Sequence, residues 1–152
     1  MNQPNESSPE IGDNADSRYV GDCDCAWVPK TTSTTSKSEI WRSSNNYITV
    51  YNEASTRPAD GTNIVISGKS SGFEFGSVVD GTFTIYAGGM NWDLIRHNID
   101  MAGGDSGSPV GDADASDILG IHKGEIHSGS NVYHVATAWE EIDKDFSVSL
   151  HQ

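Results

Sequence analysis

The stretch of this 152-residue sequence best equipped for chemistry is Gly103-Gly104-Asp105-Ser106-Gly107-Ser108-Pro109-Val110. A nucleophilic serine needs its Oγ exposed on a tight turn, and flanking glycines permit both the turn and the close approach of a substrate. The backbone N–H groups of Gly104 and Ser106 could converge on one point and hold the oxyanion of a tetrahedral intermediate. Asp105 would be an internal acid that fixes the turn, and Pro109-Val110 would start the next strand. The plainer alternative is a Gly/Ser/Asp surface turn of an acidic protein. An imidazole is the commonest general base for such a serine, and the five histidines are His97, His122, His127, His134 and His151.

The elements that must position these residues read as β-structure. Leucine occurs only three times (Leu94, Leu119, Leu150), whereas Gly, Ser, Thr and Val are plentiful. Short apolar runs recur at Tyr47–Tyr51, Asn63–Ser67, Phe73–Val79, Thr82–Ala87, Leu94–Ile99, Ile118–His122 and Asn131–Val135. Turn pairs such as Asp60-Gly61 and Asp80-Gly81 separate them, which predicts an antiparallel barrel or sandwich. One helix is expected near the end. Thr137 and Glu140 have capping-box spacing, and Trp139, Ile142 and Phe146 share one helical face. Residues 1–19 are polar and acidic and read as a loosely held arm. Residues 20–39 hold a strand end and a Ser/Thr linker, and residues 40–149 hold the barrel and its helix.

On these residues GDSGSPV resembles the active-site serine motif of chymotrypsin-fold serine proteases, in the bacterial streptogrisin and α-lytic protease branch. Leu94–Asp100 is similar to the strand that leads into that group's serine loop. Ser67-Gly-Lys-Ser-Ser-Gly-Phe-Glu-Phe-Gly-Ser-Val78 is similar to the hairpin opening its second barrel. Ile118–Gly124 is similar to the strand walling its primary specificity pocket. The resemblance spans roughly residues 20–148. It implies an all-β, chymotrypsin-like second barrel with a remnant strand of the first barrel and a closing helix. It also implies a secreted serine endopeptidase working through an acyl-enzyme, with no cofactor or metal, on peptide or protein substrates.

The resemblance assigns Ser106 as nucleophile, Gly104 as an oxyanion-hole amide and Asp24, within Cys23–Val28, as the acid that orients the catalytic imidazole. Asp22 is the neighbouring alternative. The imidazole itself is expected in the first barrel, upstream of the acid, and no histidine precedes Asp24. The chain therefore reads as the C-terminal half of a protease, with a missing N-terminal half as its implied partner. A solitary half would leave an apolar face uncovered, and poor solubility or dimerisation is expected of it. The alternative is a vestigial peptide-binding barrel that no longer cleaves.

Gly120-Ile-His-Lys-Gly124 is similar to a segment of glutamyl endopeptidases, which implies that His122 and Gly124 line a pocket for an acidic side chain. An imidazole can donate a charge-assisted hydrogen bond to a substrate carboxylate. Asp100 stands where the bacterial branch usually has a cysteine, with His127 near the position of its partner, and an Asp100–His127 pair is the expected substitute. Asp100 also lies six residues before Ser106, where trypsin carries its basic-side-chain reader. His97, His134 and His151 read as ordinary strand or surface residues, and no spacing of His, Cys and Asp resembles a zinc site.

Composition excludes other classes. With 22 acids against 9 bases, the formal charge is −13, which gives no basic surface for nucleic acid or an anionic membrane. The acid excess, with only five lysines, fits either simple solubility or work in concentrated salt. No apolar run is long enough to span a membrane, and residues 1–20 lack a basic-then-apolar export pattern. Cys23 and Cys25 are one residue apart on a strand, point to opposite faces, and exclude a disulfide framework.

Overall fold

The computed structural model describes residues 16–20, 23–27, 37–113, 117–147 and 149. Eleven strands and one helix make up these residues. β1 (Asp16–Val20) and β2 (Cys23–Trp27) form an antiparallel pair, with Tyr19 opposite Asp24. β2 lies against the terminal helix and the last strand. Residues 16–19, expected to belong to a loose arm, are thus strand, because β2 supplies their hydrogen-bond partners. The Ser/Thr linker at 30–36 and the first fifteen residues lie outside the described residues.

A second hairpin joins β3 (Glu39–Ser43) to β4 (Asn46–Thr49), turning at Asn45, and β5 (Asn52–Glu53) is a short edge strand. The barrel itself is built from β6 (Asn63–Gly68), β7 (Gly72–Ala87), β8 (Met90–His97), β9 (Pro109–Asp112), β10 (Asp117–Ser128) and β11 (Asn131–Ala138). β6 pairs with β7 and β9, β7 with β8, β8 with β11, β11 with β10, and β10 with β9. Every pairing is antiparallel, and the ring closes. The short β5 adds to β10 in parallel.

β6 shows why the sequence folds this way. Ile64, Val65 and Ile66 are consecutive β-branched residues and all fully buried, as in a strand covered on both faces. Ile64 and Ile66 join Val78, Ile95, Ile99, Met101, Val110 and Leu119 in the main core. A second cluster holds Trp92, Leu94, Ile126 and Val135, and a third sets Ile40, Val50 and Ile118 against Phe73 and Trp139.

Two local expectations change. Asp80-Gly81 does not turn the chain; it is a bulge within the continuous sixteen-residue β7, marked by register shifts against β8. Asp80 Oδ1 accepts the Thr82 amide at 3.0 Å, and the Gly81 amide donates to Asp60 Oδ1 at 2.9 Å. These bonds satisfy the residues that leave the ladder, so the strand bends without ending. The helix α1 (Trp139–Phe146) starts after Ala138, with no side-chain cap. Thr137 belongs to β11, and its buried hydroxyl finds no partner, so the capping box does not form.

Arg57, whose side chain is 10% exposed, fixes α1 to the barrel instead. Its guanidinium meets Glu140 at 2.7 Å, Glu141 at 3.2 Å and Asp93 at 3.2 Å. Burial alone would raise the Glu141 carboxyl, but bonds to Lys144 and Arg57 hold it below the usual carboxylate range.

Candidate active site

The serine loop hangs between β8 and β9. Asp105 N–H donates to Ala102 O at 3.2 Å, and Ser108 N–H to Asp105 O at 3.1 Å, closing successive tight turns. Gly104 and Gly107 have φ of +98° and +93°, which L side chains rarely adopt. Ser106, between them, is exposed. Among the described residues, neither the Gly104 nor the Ser106 amide has an acceptor.

Asp105 is 1% exposed and anchors the loop from below. Its carboxylate accepts the Ser70 amide at 2.6 Å and the Ser71 amide at 3.1 Å, both from the turn between β6 and β7. Burial by itself would raise this carboxyl, yet the N–H donors outweigh it and hold the group below its ordinary value. Gly68 leaves room for it: a Cβ there would lie 2.5 Å from Asp105 Cγ. The Ser71 hydroxyl accepts the Ala102 amide at 2.8 Å, and the Ser70 hydroxyl donates to Gly103 O at 3.0 Å. The Lys69-Ser70-Ser71 turn is therefore the cradle of the serine loop.

β10 runs beside the loop. Gly107 N–H donates to His122 O, and His122 N–H to Ser108 O, each at 2.8 Å. A Cβ on Gly124 would stand 3.3 Å from Ser106 Oγ, so this strand walls the approach to the serine. An open cleft of about 520 Å³ lies across Ser106, lined by Trp41, Gly68, Lys69, Gly104 and Pro109. Lys123, the neighbour of His122, turns away and sets its ammonium 4.1 Å from the Trp92 ring centroid.

His122 and His97 are each 2% exposed, and His97 Nε2 lies 3.2 Å from His122 Nδ1. The Ile99 amide donates to His97 Nδ1 at 3.3 Å. With Nδ1 accepting, the His97 proton is assigned to Nε2, on the side of His122 Nδ1; the ring also hydrogen-bonds the Val135 backbone. His134 extends the line, its ring 6.2 Å from that of His97. Burial, reinforced by the neighbouring imidazoles of His122 and His134, pushes His97 down to about 3. Burial likewise lowers His122, against the attraction of Asp105.

His97 and His134, read from the sequence as ordinary, are thus part of the same constellation as His122. They are 25 and 12 residues from it, and only the β8–β11 register, which sets His134 opposite His97, reveals it. The Asp100–His127 pair does not form. His127 Nε2 pairs with Glu125 Oε2 at 3.1 Å, while Asp100 lies 4.0 Å from His134 Nε2. β10 turns His127 outward, and the Asp100 side chain is 90% exposed rather than set at a pocket floor, where a trypsin-like reader would sit. Asp24 lies in β2, and its side chain falls outside the described residues. No described imidazole is hydrogen-bonded to Ser106.

Solved structures share this architecture. A glutamic acid-specific serine protease, described as using a histidine triad in substrate binding, aligns with a TM-score of 0.81 over 97% of this chain and 77% of its own, at 20% identity. The chymotrypsin of Cellulomonas bogoriensis aligns at 0.74 over 91% and 74%, with 17% identity. This chain has the chymotrypsin fold. A homologue of α-lytic protease also matches, at 0.72 over 93% and 73%, with 23% identity. No protein-family model and no curated relative matches the sequence. β6–β11 form the closed barrel, α1 packs against β10 and β11, and Trp41 of β3 shares a cleft with Ser106. No helix among the described residues is long and apolar enough to cross a membrane.

Proposed function

We propose that this chain carries the nucleophile and specificity pocket of a secreted serine endopeptidase that cuts after acidic residues. Ser106 Oγ attacks the scissile carbonyl carbon while its proton passes to a general base. The Gly104 and Ser106 amides hold the resulting oxyanion, the amine leaves with a proton from that base, and water hydrolyses the acyl-enzyme. Asp24 orients the base, which is an imidazole of an N-terminal barrel half supplied by sequence beyond these 152 residues or by a separate chain. The observation that carries the reading is Ser106, exposed between two positive-φ glycines beside two unpartnered amides and against the strand of His122 and Gly124.

The acidic preference rests on the imidazole line. With its Nδ1 on the side of the His97 proton, a neutral His122 donates from Nε2, which suits a carboxylate that arrives charged. That the glutamic acid-specific protease is described with a histidine triad supports the assignment of His97, His122 and His134. The acid excess, in turn, supports work in concentrated salt, where a Debye length of about 3 Å at 1 M screens self-repulsion.

Product peptides test the pocket without catalysis. A peptide ending in Glu is expected to bind at least tenfold more tightly than its Gln or Phe counterpart, and His122→Ala to abolish the difference. Equal binding of all three would overturn the preference. A second reading, a binding barrel that has lost cleavage, is favoured by the lack of a described imidazole at Ser106.

A further inference from the structure

We infer that Asp100, Glu125 and His134 form a binding site for a divalent transition-metal ion of the zinc type. One ligand atom from each lies within 4.8 Å of the other two, although the residues come from three separate places: the loop after β8, β10 and β11. Their spacings in sequence, 25 and 9 residues, hide the group from any motif. Strand pairing assembles it, because Glu125 faces His134 directly across β10 and β11.

The separations fit an ion better than direct bonds. His134 Nδ1 lies 3.9 Å from Glu125 Oε1, and Nε2 lies 4.0 Å from Asp100 Oδ1, both beyond hydrogen-bond reach. The two carboxylates face different ring nitrogens, so with His134 Nδ1 as the nitrogen ligand beside Glu125, the exposed Asp100 side chain has to swing round to join them; bonds of about 2.0–2.2 Å set tetrahedral ligand atoms roughly 3.4 Å apart, and water completes the coordination. His134 Nδ1 is sealed from solvent and has no hydrogen-bond partner, an unpaired polar atom that a metal ion or its shell would satisfy. No Lys or Arg pairs with either carboxylate among the described residues, and His127 Nε2, 3.1 Å from Glu125 Oε2, leaves the Oε1 atom facing His134 free of it. One nitrogen and two oxygens suit zinc and its neighbours; calcium, which takes oxygen ligands alone, is disfavoured.

The site also closes the outer end of the His122–His97–His134 line. Where the proposed acidic pocket holds, an ion there adds positive charge to that line and strengthens the binding of a peptide ending in Glu. The ion itself needs no such reading, and its test uses no peptide.

Calorimetric titration of the full chain with ZnCl2 is expected to show one saturable site, with no comparable binding of CaCl2. Asp100→Asn, which alters a side chain 90% exposed and leaves the fold intact, should weaken zinc at least about tenfold, and Glu125→Gln should do the same. His127→Gln, whose ring touches Glu125 but lies outside the group, should retain binding. Absence of saturable zinc binding, equal affinity in Asp100→Asn and Glu125→Gln, or calcium binding as tight as zinc would each overturn the site.

Discussion

Replacing Asp105 by Asn tests whether the cradle between β6 and β7 holds the serine loop. The carboxylate accepts two amides, from Ser70 at 2.6 Å and Ser71 at 3.1 Å, in a setting 1% exposed. An Asn oxygen can keep one of these bonds, without its charge assistance, while its NH2 group confronts the other donor. The unsatisfied amide costs about 1–3 kcal/mol, and weakening the retained bond costs about 1 more. The sum, about 2–4 kcal/mol, corresponds to a fall in Tm of roughly 5–15 °C for a domain of this size. The pH dependence gives a second readout. The folded carboxyl sits below its ordinary value of 3.8, so its contribution is complete above that pH and is lost as pH falls through the folded value. Urea titrations should therefore show a constant gap between the two proteins from pH 7 to 5, closing at pH values below 3.8. A variant that melts within 1 °C of the parent, or a gap unchanged in acid, would show that the Asp105 carboxylate does not hold the loop.

Three further outcomes follow from the packing. Arg57→Ala removes the cation shared by Asp93, Glu140 and Glu141 and should cost about 2–3 kcal/mol in urea unfolding; Lys, lacking the planar fork, should restore little. A loss under 0.5 kcal/mol would deny that the helix is clamped this way. His97, pushed from 6.5 to about 3, stays neutral when folded, so above pH 6.5 its proton affects neither state. Between those values the unfolded chain takes up a proton that the folded chain refuses, and stability falls as pH falls, by up to about 1.4 kcal/mol per pH unit. In EDTA, His97→Gln should flatten that slope by about one proton, and identical slopes would contradict the burial argument. Thr137→Val, which removes a buried hydroxyl without a partner, should leave stability unchanged or raise it, and a loss above 1 kcal/mol would reveal a bond that the structure does not contain.

The barrel was legible because the pattern is local. The apolar run in β6, the run that begins at Leu94 in β8 and the glycine-bounded serine loop are each visible within a few residues. What escaped depends on register or on long-range partners. Asp80-Gly81 carries turn chemistry, but pairing with β8 on both sides keeps β7 running through it. The Ser70-Ser71 cradle was visible as a motif and silent about its task, since Asp105 is more than thirty residues away. His97 and His134 looked ordinary singly, and only cross-strand pairing made them neighbours of His122. Thr137 has the spacing of a capping residue, yet β11 extends past it, and a buried strand hydroxyl cannot cap.

Ser106 is proposed above as a protease nucleophile whose base comes from a first-barrel half. Intact-mass and peptide mapping after treatment with a fluorophosphonate test it directly. No adduct is expected on the chain alone, an adduct is expected on Ser106 when the chain is expressed with a first-barrel half bearing the imidazole, and none is expected on Ser106→Ala in that same pairing. Labelling of Ser106 in the solitary chain would contradict the assigned source of the base, and failure to label in the pairing would contradict the nucleophile itself.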